Sequence, residues 1–216
     1  GGGTPVAFTD VRDLDVVENG SGGYDAIVMD RTDDTMHLVT DVLGTPTPGP
    51  LAISGLPASP DLFGLIALDR DTYFLYDASP DGAFNLDLMH VVRNDAVVAT
   101  HSWQAIAAAG SGIAGDNLSV DFHNGMAVRG SDTMTEVLLT NFGGGAPQQV
   151  LNVMFTGPDA DNIDYSTFTT TTVVTQTELQ NVTGMLAINV RGVSYDESND
   201  NMVVWMDGDG GATYFV

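Results

Sequence analysis

Short β-type runs recur along this whole chain, each closed off by Gly, Asp, Asn or Pro, and no other feature narrows the possible folds so far. They are Tyr24–Met29, Met36–Thr40, Phe63–Leu68, Thr72–Tyr76, Phe84–Val92, Ala96–His101, Leu118–Phe122, Glu136–Asn141, Val150–Phe155, Met185–Val190, Asn201–Met206 and Ala212–Val216. All are rich in Val, Tyr, Phe, Leu and Thr, and several alternate in polarity, as half-buried strands do. The Thr/Val run Thr169–Thr175 reads as a further, exposed strand. Only Ser102–Ala109 predicts a helix, ended by Gly110. The Pro-rich stretch Thr45–Pro60 reads as a long loop. Many short, closely spaced strands predict one all-β domain over residues 1–216, built as a sandwich, a barrel or a propeller.

An internal repeat turns this expectation toward a propeller. Met29-Asp30-Arg31-Thr32-Asp33-Asp34, Tyr76-Asp77-Ala78-Ser79-Pro80-Asp81 and Tyr195-Asp196-Glu197-Ser198-Asn199-Asp200 share the pattern [Met/Tyr]-Asp-x-[Ser/Thr]-x-Asp, and an apolar strand follows each. The first two are separated by about one blade period. The same residues would also serve as Asx- or ST-turns that close hairpins. Near the end, Asp209-Gly210-Gly211-Ala212-Thr213-Tyr214 resembles the Asp-x-Gly-x-Thr-aromatic core of an Asp box, with Asp207 where that motif carries Ser or Thr. Asp boxes are hairpin turns of sialidase-like propellers and carry no catalysis. The resemblance implies a small propeller of about four blades, with Thr4–Phe8 as a closing strand. A viral jelly roll or other β-sandwich, single or doubled, is the alternative design.

Charge sets the environment. The chain has no lysine, six arginines, four glutamates and 25 aspartates, for a formal net charge of −23 over 216 residues. Self-repulsion on this scale weakens a compact state in dilute buffer, and molar salt screens it. The composition resembles that of proteins from extreme halophiles, notably haloarchaea and their viruses; an acidic marine phage or bacterial surface protein is the neutral-salt counterpart. Phosphate backbones and anionic membranes both require a basic patch, which six scattered arginines do not build. With no cysteine there is no disulfide framework and no thiolate chemistry. No apolar run approaches the length needed to span a bilayer as a helix. The opening Gly1-Gly2-Gly3 has none of the marks of a signal peptide, and the missing initiator Met points to processing or trimming.

The clearest candidate site is the loop Asp77–Asn85. Asp77, Ser79, Asp81 and Asn85 supply side-chain oxygens at positions 1, 3, 5 and 9 of a calcium loop, Ala83 the carbonyl at position 7, and Gly82 the turn. Only two carboxylates are present and Leu88 stands at position 12, so the expected calcium affinity is weak, and a solvated turn is the competing reading. Asp196, Ser198 and Asp200 form a poorer version, and Asp30, Thr32 and Asp34 a poorer one still. The histidines His37, His90, His101 and His123 show no short metal-ligand spacing; His90, His101 and Asp87 would make a general base if the fold brought them together. A P-loop and Schiff-base chemistry are excluded by the absence of lysine, and no G-x-S-x-G elbow occurs. A sialidase would need three clustered arginines, whereas Arg12, Arg31, Arg70, Arg93, Arg129 and Arg191 are spread evenly and read as local carboxylate partners. Two glycosylation sequons, Asn117-Leu118-Ser119 and Asn181-Val182-Thr183, complete the inventory.

These features predict a non-enzymatic structural protein on an exterior surface, a capsid, decoration, spike or tail component of a halophilic virus, associating with itself and with other virion proteins. A glycan-binding propeller for host recognition is the alternative, with Trp103, Trp205, Tyr73, Tyr195 and Tyr214 as possible stacking faces. A sialidase-like or other glycoside hydrolase is the third reading.

Overall fold

The computed structural model describes residues 8–32, 35–78, 87–111, 126–141, 148–196, 198–208 and 213–215. Its described residues form fifteen strands and two α-helices. All four sheets are antiparallel and up-and-down, so sequence order is also spatial order. The first holds β1 (Val11–Glu18), β2 (Tyr24–Asp30), β3 (Thr35–Thr40) and β4 (Thr47–Pro50). The second holds β5 (Leu62–Ala67), β6 (Thr72–Asp77), β7 (Leu88–Arg93) and β8 (Ala96–Ser102). The third holds β9 (Met126–Ser131), β10 (Met134–Asn141), β11 (Gln149–Thr156) and β12 (Asp164–Val174), and the fourth β13 (Ile188–Asp196), β14 (Asn201–Gly208) and β15 (Thr213–Phe215). The protein is thus all-β, as the recurring strand runs predict, with its described strands in four antiparallel meanders. Among the described residues no helix is long and apolar enough to cross a membrane.

The chain divides into two compact units: Gly1–Gly82 with Leu88–Thr100, and Ala83–Asp87 with His101–Val216. The first unit has a core from its two sheets, with Ile27, Met29 and Met36 against Leu62, Leu65, Tyr73 and Leu75. Here β1 reverses the usual alternation of polarity. Asp13 and Asp15 turn inward, where their carboxylates accept the backbone N–H groups of Leu65 and Ala67 on β5, each at 2.8 Å. Leu14 and Val16, between and beyond them, are left about half exposed. The carboxylates stand in for a missing neighbour strand at the edge of β5, and unpaired edge amides are costly to leave dry.

The second unit is built around sheet three. One face meets sheet four through Ala127, Leu138 and Val150 against Val190, Val204 and Met206. On this unit's aromatic side, His101 lies edge-on to Phe168 at 4.8 Å, and Phe155 sits 5.3 Å from Tyr165. The predicted helix is α1 (Trp103–Ser111), with Trp103 and Ile106 buried and Ser102 Oγ accepting the Ala105 N–H. A second helix, α2 (Gln176–Thr183), was not among the expected elements. Thr175 and Glu178 form a reciprocal capping box at its start, and Gly184 ends it in the left-handed conformation, φ 73°.

Candidate functional site

Of the calcium-loop residues only Asp77 is described; Ser79, Asp81, Ala83 and Asn85 lie outside the described residues. Asp77 ends β6 and is fully buried. Its Oδ1 accepts the Asp61 N–H at 2.9 Å, and its Oδ2 lies 3.0 Å from His90 Nε2. His90, also buried, places Nδ1 2.9 Å from the hydroxyl of exposed Thr100. A carboxylate only accepts, so Nε2 carries a hydrogen, and in the neutral ring Nδ1 then accepts from Thr100. Asp77, His90 and Thr100 belong to β6, β7 and β8, so the relay is a slanted polar rung across three neighbouring strands, with His90 itself opposite Leu75 and Asp77 opposite Leu88 in the register. Sequence reasoning missed it: nothing in a spacing of 13 and 10 residues distinguishes it from chance until the hairpins set the register.

Chemically the rung could hold a proton or polarise the Thr100 hydroxyl. Asp77 and His90 are nevertheless committed at both ends to protein partners. The cleft found in the same unit, about 320 Å³ in volume, is lined by other residues, chiefly Met36, His37, Pro50, Leu51, Ile53 and Leu56. Its wall is apolar apart from His37, whose Nε2 lies 3.1 Å from Thr35 Oγ1, and Thr35 itself. Of the histidines weighed for a general base, His90 is bonded to Asp77 and Thr100, and His101 Nε2 bonds the Tyr165 carbonyl at 2.8 Å. His123 lies outside the described residues. Among the described residues no group of three or more His, Asp or Glu side chains is placed to hold a metal ion.

The other two repeats show what the Asp-x-[Ser/Thr]-x-Asp pattern does where it is described. Asp30 Oδ1 accepts the Thr32 N–H at 2.9 Å and its Oδ2 the Thr9 N–H at 2.8 Å. Asp196 Oδ1 accepts both the N–H and the hydroxyl of Ser198, and its Oδ2 the Asn199 amide. These bonds hold the carboxyl groups of Asp30 and Asp196 below the ordinary aspartate value. Both are turn caps. Asp200, in the left-handed region at φ 52°, receives hydrogen bonds from Arg129 and from the Tyr195 hydroxyl.

The arginines act as local partners where their contacts are described. Arg70 grips Asp95 with both terminal nitrogens, Arg129 bonds Glu136 and Asp200, and Arg191 bonds Asp207 at 2.8 Å. Arg12 and Arg31 both stand over the Phe63 ring, 3.8 and 5.5 Å from its centroid. Of the proposed stacking aromatics, Trp103 and Tyr73 are core residues, Tyr195 is partly buried on the core side of sheet four, and Trp205 is 37 % exposed. The Asp-box turn at residues 209–212 lies outside the described residues; beyond it, Thr213 pairs with Asp207 on β14. No family model matches the chain, and no curated protein matches it.

Proposed function

We propose that this chain is a non-enzymatic structural protein of an exterior surface, a capsid, decoration, spike or tail component of a halophilic virus, which associates with copies of itself and with other surface proteins in high salt. The observation that carries the self-association is the exposed apolar edge that β1 gives the first sheet. Two adjacent cross-strand rows, Val16–Ala26–Val39–Pro48 and Leu14–Val28–His37–Pro50, contain no carboxylate and no arginine on a chain of net charge −23. Ala26, Val28 and Val39 are buried in a small apolar cluster with Phe8 and Val42, so Leu14 and Val16 on β1 are the large apolar side chains these rows leave open to a partner. Leu14 and Val16 stay half exposed on a strand whose aspartates are tucked inside. Uncharged, partly apolar strips of this kind are where a strongly acidic surface meets a partner with least repulsion.

Light scattering from low salt to several molar NaCl tests the reading. A discrete oligomer that forms as salt rises is expected; a monomer at every salt concentration overturns it. Weak calcium binding by the Asp77–Asn85 loop belongs to the same proposal. Millimolar calcium should then raise the melting temperature, chelator should lower it, and Asp81→Ala should abolish the response. A melt that calcium never moves rejects the site. The second reading, glycan recognition, is favoured by one residue, Trp205.

A further inference from the structure

β14 is the central strand of sheet four, and its alternation is strict. Val204 and Met206 point into the core, at 2 % and 0 % exposure, so Val203, Trp205 and Asp207 stand on the other face. An indole on the solvent face of a central strand forgoes burial that its size would reward. The register sets Gly192, which has no side chain, opposite Trp205 on β13 at a β-bulge between Val190 and Gly192, and Phe215 opposite it on β15. Two residues along the same face, Asp207 is fixed at both oxygens: Asn189 Nδ2 donates to Oδ1 at 2.7 Å and Arg191 Nε to Oδ2 at 2.8 Å. These bonds hold the Asp207 carboxyl below its ordinary value, against the opposing pull of burial. Same-face neighbours on a strand are roughly 7 Å apart, about the width of one sugar ring.

We propose that this face is a binding subsite for a neutral hexopyranose, with Trp205 stacking on the C–H face of the ring and Asp207 and Asn189 accepting its hydroxyls. A flat apolar platform beside pre-oriented acceptors matches a ligand that is apolar on its faces and hydroxylated around its rim. The charge pattern selects the class. Asp207 is locally neutralised by Arg191, while the net charge of −23 repels sialic acids, sulfated sugars and phosphates. A β-linked glucoside, whose ring hydrogens are axial on both faces, fits the indole best. The subsite is separate from the uncharged strip of sheet one, and neither proposal depends on the other.

The test uses the two tryptophans as built-in reporters, because Trp103 is buried at 3 % exposure and Trp205 is not. Titration of the intact chain with cellobiose and with lactose should change the Trp205 emission with a midpoint in the millimolar range, and saturation-transfer NMR should show sugar ring protons in contact with protein. Trp205→Ala should reduce the transfer at least fivefold, and Asp207→Asn should weaken binding several-fold; the unshifted, blue emission of Trp103, the single tryptophan left in Trp205→Ala, and an unchanged melting temperature in Asp207→Asn report that the core is intact. Should Trp205→Ala fail to fold, Trp205→Phe, which keeps a smaller ring, should retain partial transfer. The proposal is overturned if neither sugar gives a response at tens of millimolar, if transfer survives Trp205→Ala undiminished, or if choline, a cation drawn by the field and the ring alone, gives the response and the sugars do not.

Discussion

Aspartate outnumbers glutamate six to one here, and the residue-level geometry gives a reason beyond net charge. A carboxylate one methylene from the backbone reaches N–H groups two to four residues away. Asp30, Asp41, Asp69, Asp164 and Asp196 all do so, closing turns from within. Asp77 is different, since its partners are distant in sequence and its site is dry. Asp77→Ala would leave the Asp61 N–H and the buried His90 Nε2–H unpaired, and should cost about 3 kcal/mol in urea unfolding, at the upper end for a hydrogen bond to a charged group. A loss below 0.5 kcal/mol would show that the rung bears no load. Asp13 and Asp15 make a prediction in pH. Desolvation raises both carboxyl groups above the usual value, more than the amides of Leu65 and Ala67 lower them. Between the usual aspartate value and the raised ones the folded chain holds more protons than the unfolded chain. Their contribution is therefore fully present below that usual value and is lost as pH rises through the raised values. Asp13→Asn/Asp15→Asn removes this dependence. The stability of the variant relative to wild type should climb as pH rises from about 4, the ordinary aspartate value. Turn caps such as Asp30 and Asp164, whose values are lowered, cancel in that difference.

At the level of elements, the strands with continuous apolar character were legible: β2, β5, β6, β10, β11 and β14 fall where hydrophobic runs meet turn residues. β1 was not, because its sequence VRDLDVVE puts acids at the inward positions, and a period-2 reading assumes that carboxylates face water. β4 was hidden in the Pro-rich stretch; Pro48 and Pro50 are tolerated there because the strand lies at the sheet edge. The relay of the candidate site was illegible for a related reason, since it depends on the register among three strands and runs diagonally between rows. α2 illustrates a legible signal overlooked: Thr175-Gln176-Thr177-Glu178 is a capping box, and Gly184 follows at the other end. Thr175→Ala removes the cap and frees Glu178, and should cost about 1 kcal/mol. Gly157 makes a sharper demand. A Cβ at this position would run into the Asn162 carbonyl and the Ile163 Cα where the short 3-10 turn at Ala160–Asn162 folds back. Both obstacles are backbone, so Gly157→Ala should destabilise by roughly 2–3 kcal/mol, like other overpacked sites. A midpoint within experimental error of wild type would mean that the turn yields freely.

For the whole molecule, the balance between repulsion and burial decides when the chain is folded and when it associates. At 0.1 M salt the Debye length is about 10 Å, and at 1 M about 3 Å, so carboxylates on separate turns feel one another in the first case and not in the second. Screening acts on the folded chain more than on the expanded one, because folding brings the charges together. The melting temperature should therefore rise steadily from dilute buffer to molar NaCl, and it should do so whether or not the chain associates. The proposed self-association would add a second term, which depends on the edge around Leu14 and Val16. The double substitution Leu14→Glu/Val16→Glu places two charges on that edge without disturbing the inward Asp13 and Asp15. Both target side chains already stand half in solvent, so the fold should tolerate the change. The variant should keep the salt-dependent rise in melting temperature while its mass in several molar NaCl stays that of a monomer. If it assembles as the wild type does, the contact lies on another face. If the wild-type melting temperature is flat across the same range of salt, the acidity is not an adaptation to high salt, and the halophilic reading falls with it.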